Sequence, residues 1–145
     1  MISPTTARSA LLALALAALL AACATQPREP PPKPFFGTRW EFLPQKAGSG
    51  EQPYVRFGDG RLEGFGGCGR FEARYIQDAV GAKAIAIGRI DRERRASCDR
   101  STRDAEDHII DVLQVVSGYT ITADVMTMSG SGGMLLLRAA EEKKK

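Results

Sequence analysis

Phe71-Glu72-Ala73-Arg74-Tyr75 alternates apolar and polar side chains without a break. A period of two sets one face of a segment against a core and the other in water, so this stretch reads as a half-buried strand. Trp40 and Phe42 alternate in the same way with Arg39 and Glu41, which makes residues 38–43 another strand. Residues 54–57 and 61–63 flank Gly58-Asp59-Gly60, a tight hairpin. Further strands are expected at 84–87, 119–122, 125–128 and 134–137, with a glycine-serine turn at 129–133 between the last two. One segment follows a different rule. Ala105, Ile109, Val112, Leu113 and Val116 recur at helical spacing and predict a helix over 102–117. Ser101 is its expected cap with Asp104 at N3, and Gly118 its expected left-handed C-cap. Strands, one helix, then more strands make an α+β pattern. The expected architecture is an antiparallel, partly open (cracked) β-barrel with the helix across its mouth or one side.

The N-terminal segment decides where such a body resides. Residues 10–20 form an uninterrupted apolar run. A stable membrane-spanning helix needs about 20 apolar residues, so the run reads instead as the core of a secretory signal. It closes with Leu20-Ala21-Ala22-Cys23, which resembles the lipobox of bacterial lipoproteins in all four positions. The resemblance implies removal of residues 1–22, acylation of Cys23 and a membrane anchor. Ala24 and Thr25 follow, without the aspartate associated with inner-membrane retention, so the expected place is the periplasmic side of the outer membrane. Residues 23–36 then form a lipidated, proline-rich spacer with five prolines. The domain is expected over 37–140, and residues 141–145 form a charged tail. Beyond the signal, 19 basic residues stand against 17 acidic ones, a balance too even to argue for nucleic acid.

Gly64-x-Gly66-x-x-Gly69 matches the glycine fingerprint of dinucleotide-binding folds. That fingerprint works between a buried parallel strand and a helix N-terminus. Here it follows a hairpin and leads into a period-two segment, so the glycines read as a bend that lets Cys68 approach a partner. No cofactor is implied.

Trp40, Gly67-Cys68, Arg70-Phe71, Tyr75, Cys98, Glu106, Tyr119 with Ile121, and Leu135-Leu136-Leu137-Arg138 occur in an order that resembles the META domain, the HslJ-like family. Gly69 stands where that family commonly has asparagine, and Arg94 and Ala96 where it has threonine and methionine. The resemblance implies a small envelope or surface domain with no established enzyme activity, cracked-barrel in shape and similar to secretion pilot lipoproteins.

Apart from Cys23, two cysteines remain, and an even count in an exported domain favours a Cys68–Cys98 disulfide. A zinc site from these two and His108 would lack a fourth ligand, and free thiols in a reducing host are the other alternative. His108 has no nucleophile motif around it, so no catalytic residue is expected. Residues 89–103 hold six arginines and three acids. Arg92, Arg94, Arg95 and Arg100 are candidates for contacting an envelope protein or an anionic polymer, since guanidinium forks suit phosphates and carboxylates. A loop whose charges pair among themselves is the alternative. The sequence therefore points to a non-enzymatic envelope lipoprotein that binds a partner or supports envelope integrity. Two further readings are an inhibitor of lysozyme type, using GFGGCGRF as an exposed loop, and a pilot protein carrying lipid or peptide inside the barrel.

Overall fold

The computed structural model describes residues 29–44, 50–78, 83–93 and 97–141. The chain divides into two units, 1–30 and 31–145, and every element named below belongs to the second. Strands β1 (Arg39–Leu43), β2 (Tyr54–Phe57), β3 (Arg61–Phe65), β4 (Arg70–Gln77), β5 (Ile85–Ile87) and β6 (Asp91–Arg92) precede helix α1 (Arg100–Gln114). Strands β7 (Val116–Thr122), β8 (Val125–Gly130) and β9 (Gly133–Ala139) follow it.

All the paired strands run antiparallel, in the order β5-β4-β3-β2-β1-β9-β8-β7. β6 pairs with the first half of β4, beside the stretch that β5 occupies on its second half. The outermost strands, β5 and β7, come together beside one bridge, Ala84 to Gly118, reinforced by the Tyr119 N–H donating to the Lys83 carbonyl at 3.1 Å. The sheet is thus a barrel closed except for one seam, the cracked α+β barrel that the alternation predicts.

Alternation fills its interior. Trp40, Val55, Phe57, Leu113, Met126, Met128 and Leu137 are all 0% exposed, so side chains rather than a channel occupy the barrel axis. Burying one such side chain contributes about 1.5–3 kcal/mol, which makes this cluster the main source of stability.

The helix departs from its expected bounds. It begins at Arg100 under an Asp99 cap, not under Ser101, because Asp99 Oδ1 accepts the Thr102 N–H at 3.0 Å. It ends at Gln114 with Val115 as C-cap, and Gly118 lies inside β7 rather than closing the helix. The β pairing of residues 116–122 takes the chain before a glycine cap is needed. Its buried face is Glu106, Ile109, Ile110, Val112 and Leu113, while Ala105 is exposed. The β8–β9 turn is also shorter than expected, since pairing continues to Gly130 and Gly133.

The barrel has two differently closed ends. At one, the β2–β3 and β7–β8 turns meet the chain that leads into β1. Lys33 N–H donates to the Ala123 carbonyl at 2.7 Å, and the Gly37 N–H to the Phe57 carbonyl at 2.9 Å. Phe35 inserts there, stacked at 4.3 Å on Phe57 and 4.4 Å on Tyr119, with Tyr75 edge-on at 6.1 Å. At the other end, α1 lies against the β3–β4 loop and the β8–β9 turn.

Candidate functional site

The helix-covered end is organised by the glycine loop between β3 and β4. Glu106 is 4% exposed, and its Oε2 accepts the backbone N–H groups of Cys68 and Gly69, both at 2.9 Å. A carboxylate donated to twice is a charge-assisted clamp, stronger than a neutral hydrogen bond. Two glycines make room for it. A Cβ on Gly66 would lie 2.4 Å from Glu106 Cγ, and one on Gly69 would lie 2.0 Å from the Glu93 carbonyl oxygen. The second distance accounts for glycine at the position where related sequences were expected to carry asparagine.

Cys68 is held in the same loop, and a disulfide joins it to Cys98, with the Cα atoms 5.4 Å apart. Immediately after, Asp99 gathers the Thr102 hydroxyl at 2.6 Å, the Thr102 N–H at 3.0 Å and the Ser101 hydroxyl at 2.7 Å. These donors, the Thr102 hydroxyl foremost, hold the Asp99 carboxyl well below the usual carboxylate range. Its charge is fixed at the surface, and no ion pair among the described residues neutralises it.

Between this helix start and the ends of β1 and β2 lies a groove of about 750 Å³. Phe42, Pro44, Pro53 and Ile109 supply apolar lining, and the disulfide and Asp99 border it. That volume falls in the range of roughly 300–1,000 Å³ usual for ligand sites. Gln52 also lines it, and its Oε1 is buried with no hydrogen-bond partner. The backbone at Gln52 is fixed from outside: its carbonyl accepts Arg39 Nη2 at 3.3 Å, while the Arg39 guanidinium lies 3.7 Å above the Tyr54 ring and pairs with Glu51 at 3.2 Å.

The described arginines of residues 89–103 are all engaged, but only Arg89 with an acid of the same stretch. Arg92 pairs with Asp107, Arg100 with Asp104 at 3.9 Å and Arg89 with Asp91 at 3.9 Å, while Arg103 donates to the Cys98 carbonyl at 3.1 Å. Arg92 is also in β6, an element that the charge run hid. Arg94 and Arg95 lie outside the described residues, as does Cys23. The structure therefore brings Cys68 and Cys98 together but does not gather Arg92 and Arg100 into one surface with the groove.

Other expectations change with the geometry. The GFGGCGRF loop is mostly buried and clamped by Glu106, which removes the exposed segment that an inhibitor of lysozyme type would need. A lipid inside the barrel would have to displace the packed core. His108 is exposed on α1, and among the described residues no three His, Cys, Asp or Glu side chains gather to hold a metal ion. No described helix is long and apolar enough to cross a membrane.

Sequence reasoning missed Gln52, which sits in an undistinguished Glu-Gln-Pro stretch, and it missed the role of Glu106. A signal for Glu106 existed: it lies three residues before Ile109, on the side of α1 that the apolar pattern turns inward.

The META domain family model matches residues 35–143. Among solved structures, an NMR structure of a protein from Burkholderia xenovorans is similar at a TM-score of 0.58 and 15% identity, covering 81% of this chain and 96% of its own. A second NMR structure is similar at a TM-score of 0.59 and 14% identity, covering 74% of this chain and 92% of its own. These likenesses concern the fold alone. A comparison with curated proteins gives no match.

Proposed function

This chain belongs to the META domain family, and from that premise we propose that it is a non-enzymatic, membrane-anchored envelope lipoprotein that binds a partner at the helix-covered end of its barrel. Family membership supports the coarser statement, a non-catalytic envelope-associated protein. The anchor and the partner are the finer steps, and each has its own support.

The anchor rests on Leu20-Ala21-Ala22-Cys23 and the apolar run before it. The acyl chains on Cys23 would each contribute about 0.8 kcal/mol per buried CH₂, enough together for stable attachment at the periplasmic face of the outer membrane. The partner surface rests on one observation: the groove beside Cys68–Cys98 opens at the end of the barrel opposite the one where the spacer joins it. β1 runs from Arg39 at the spacer end to Leu43 at the groove end, roughly 13 Å at about 3.3 Å per residue. The groove is thus clear of the residues through which the body joins its spacer, so an attachment there leaves it open to an envelope protein.

The test is made in cells of a two-membrane bacterium expressing the full chain. Feeding an alkyne fatty acid labels the protein, and Cys23→Ser abolishes both the label and the membrane fractionation. A photo-crosslinking residue at Ala105, on the groove wall, then yields a discrete adduct, whereas the same residue at Arg56, on the outer face of β2, does not. An unlabelled, soluble chain that keeps residues 1–22 sinks the anchor. Identical crosslinking from both positions sinks the partner surface.

A further inference from the structure

The groove carries more than a location, because its chemistry selects an occupant. Its floor is apolar, through Phe42 and Ile109. One wall holds Gln52, whose buried Oε1 has no donor. No lysine, arginine or histidine is among its described lining residues, and Asp99, at the rim, forms no ion pair with a described residue. Glu51, the other acid on the wall, is already paired with Arg39. Arg70 lines a smaller adjoining hollow of about 310 Å³, and not the groove itself.

An acceptor buried without a donor is unfavourable in the free protein, and a native structure keeps one where something else supplies the donor. Here the something else can be a ligand. The terminal torsion of a glutamine is broad, so rotation about it can bring Oε1 to a donor held in the groove. An apolar floor asks for an apolar side chain, an orphan carbonyl asks for an N–H, and the fixed Asp99 carboxylate, hydrogen-bonded but in no ion pair with a described residue, favours a cation. A short stretch of polypeptide with a basic residue beside an apolar one supplies all three.

We infer that the groove is a peptide site, taking an extended segment of an envelope protein with its apolar side chain on Phe42 and Ile109, an N–H on Gln52 Oε1 and a lysine or arginine against Asp99. This inference takes the partner surface of the proposed function as its site, but not the membrane anchor. The helix start contributes rigidity: Asp99 is immobilised by its three donors and by the neighbouring disulfide, so the carboxylate is pre-positioned rather than free to rotate.

The experiment uses the purified, isotopically labelled full chain in detergent, titrated with a capped pentapeptide of alternating leucine and lysine, and with the same peptide carrying glutamate for lysine. The lysine peptide shifts the Gln52 side-chain amide and the Gly67 and Ala105 backbone resonances, and it binds about tenfold more tightly than the glutamate peptide, the scale of one well-placed charge contact. Asp99→Asn, which still caps the helix, reduces that preference to roughly threefold or less. Gln52→Met weakens the lysine peptide several-fold while raising the thermal midpoint, because it removes the orphan acceptor from the free protein. Ala105→Trp, filling the groove from an exposed helix position, abolishes binding and leaves the fold intact. Equal affinity for both peptides, shifts confined to residues outside the groove, or undiminished binding by Gln52→Met would each overturn the inference. Failure of fatty-acid labelling in cells would leave these titrations untouched, so the anchor and the peptide site fail separately.

Discussion

The two ends of this barrel are closed by different physics. At the spacer end, Phe35 fills the space between Phe57 and Tyr119, and the closure is apolar stacking with few directional demands. At the helix end, the closure is covalent and polar: Cys68–Cys98, the Glu106 clamp on two N–H groups, and the Asp99 cap. An apolar plug tolerates any side chain of suitable bulk. A polar clamp tolerates almost no substitution, since each buried group needs its particular partner. The specified end is also the one with an open groove, because rigid loops can hold a hollow open where packed aromatics would fill it.

The comparison is broken most directly at the disulfide. Replacing Cys68 and Cys98 together with alanine is expected to lower stability by roughly 3–4 kcal/mol, the chain-entropy value for a loop of about 30 residues. Urea unfolding monitored by tryptophan fluorescence reads this through the buried Trp40. A loss under about 1 kcal/mol would mean that the clamp alone holds this end, and that the bridge does not restrict the unfolded chain as the model requires. Next comes Glu106→Ala. It strands two buried donors, and the expected loss is about 3 kcal/mol, at roughly 1–3 kcal/mol per group left unsatisfied. Hydrogen exchange should show the Cys68 and Gly69 amides losing protection first. Unchanged protection there would remove the clamp from the account of this end.

Phe35→Ala sharpens the other half of the comparison. Its ring is 8% exposed and sits at the end of the core, so about 2–3 kcal/mol is expected, below the 3–5 kcal/mol of a central aromatic. Phe35→Leu should recover most of that loss, as an apolar plug allows. If leucine fails to rescue, stacking geometry rather than bulk closes this end, and the contrast with the helix end weakens.

The strands were legible because their side chains alternate, and alternation is a local property. Tyr54 to Phe57, Phe71 to Tyr75 and Met134 to Leu137 all fall within the strands that form. β6 was not, because two charged residues, Asp91 and Arg92, carry no apolar signal and pair only through β4. The helix cap misread has a similar origin. Asp99 and Ser101 are both good capping residues, and the choice falls to Asp99 because it reaches Thr102 while the disulfide fixes Cys98 beside it. Within the candidate site, Cys68 and Cys98 could be paired by counting. Gln52 could not be found at all, since what distinguishes it is an unmet acceptor, a property that exists only after β1, β2 and α1 have met.

The smallest expected effects separate the two ends by pH. At the spacer end, burial, and for Tyr75 the nearby Asp59 charge as well, pushes the Tyr75 and Tyr119 phenols above their ordinary value. A raised phenol favours the folded state only while it is neutral, so this contribution is complete below about pH 10 and is lost as the pH climbs through the folded-state titration. At the helix end the sign reverses. The Asp99 carboxyl is depressed by the donors it accepts, so its contribution is present above about pH 4 and is lost as acid protonates it. Urea midpoints followed across pH should therefore fall modestly at both extremes, with each arm belonging to one end of the barrel. Asp99→Asn should flatten the acid arm and leave the alkaline one, and Tyr119→Phe should shrink only the alkaline arm. A variant at one end that altered both arms would show that the two closures are coupled through the core, and the barrel would then have to be treated as one cooperative closure rather than two.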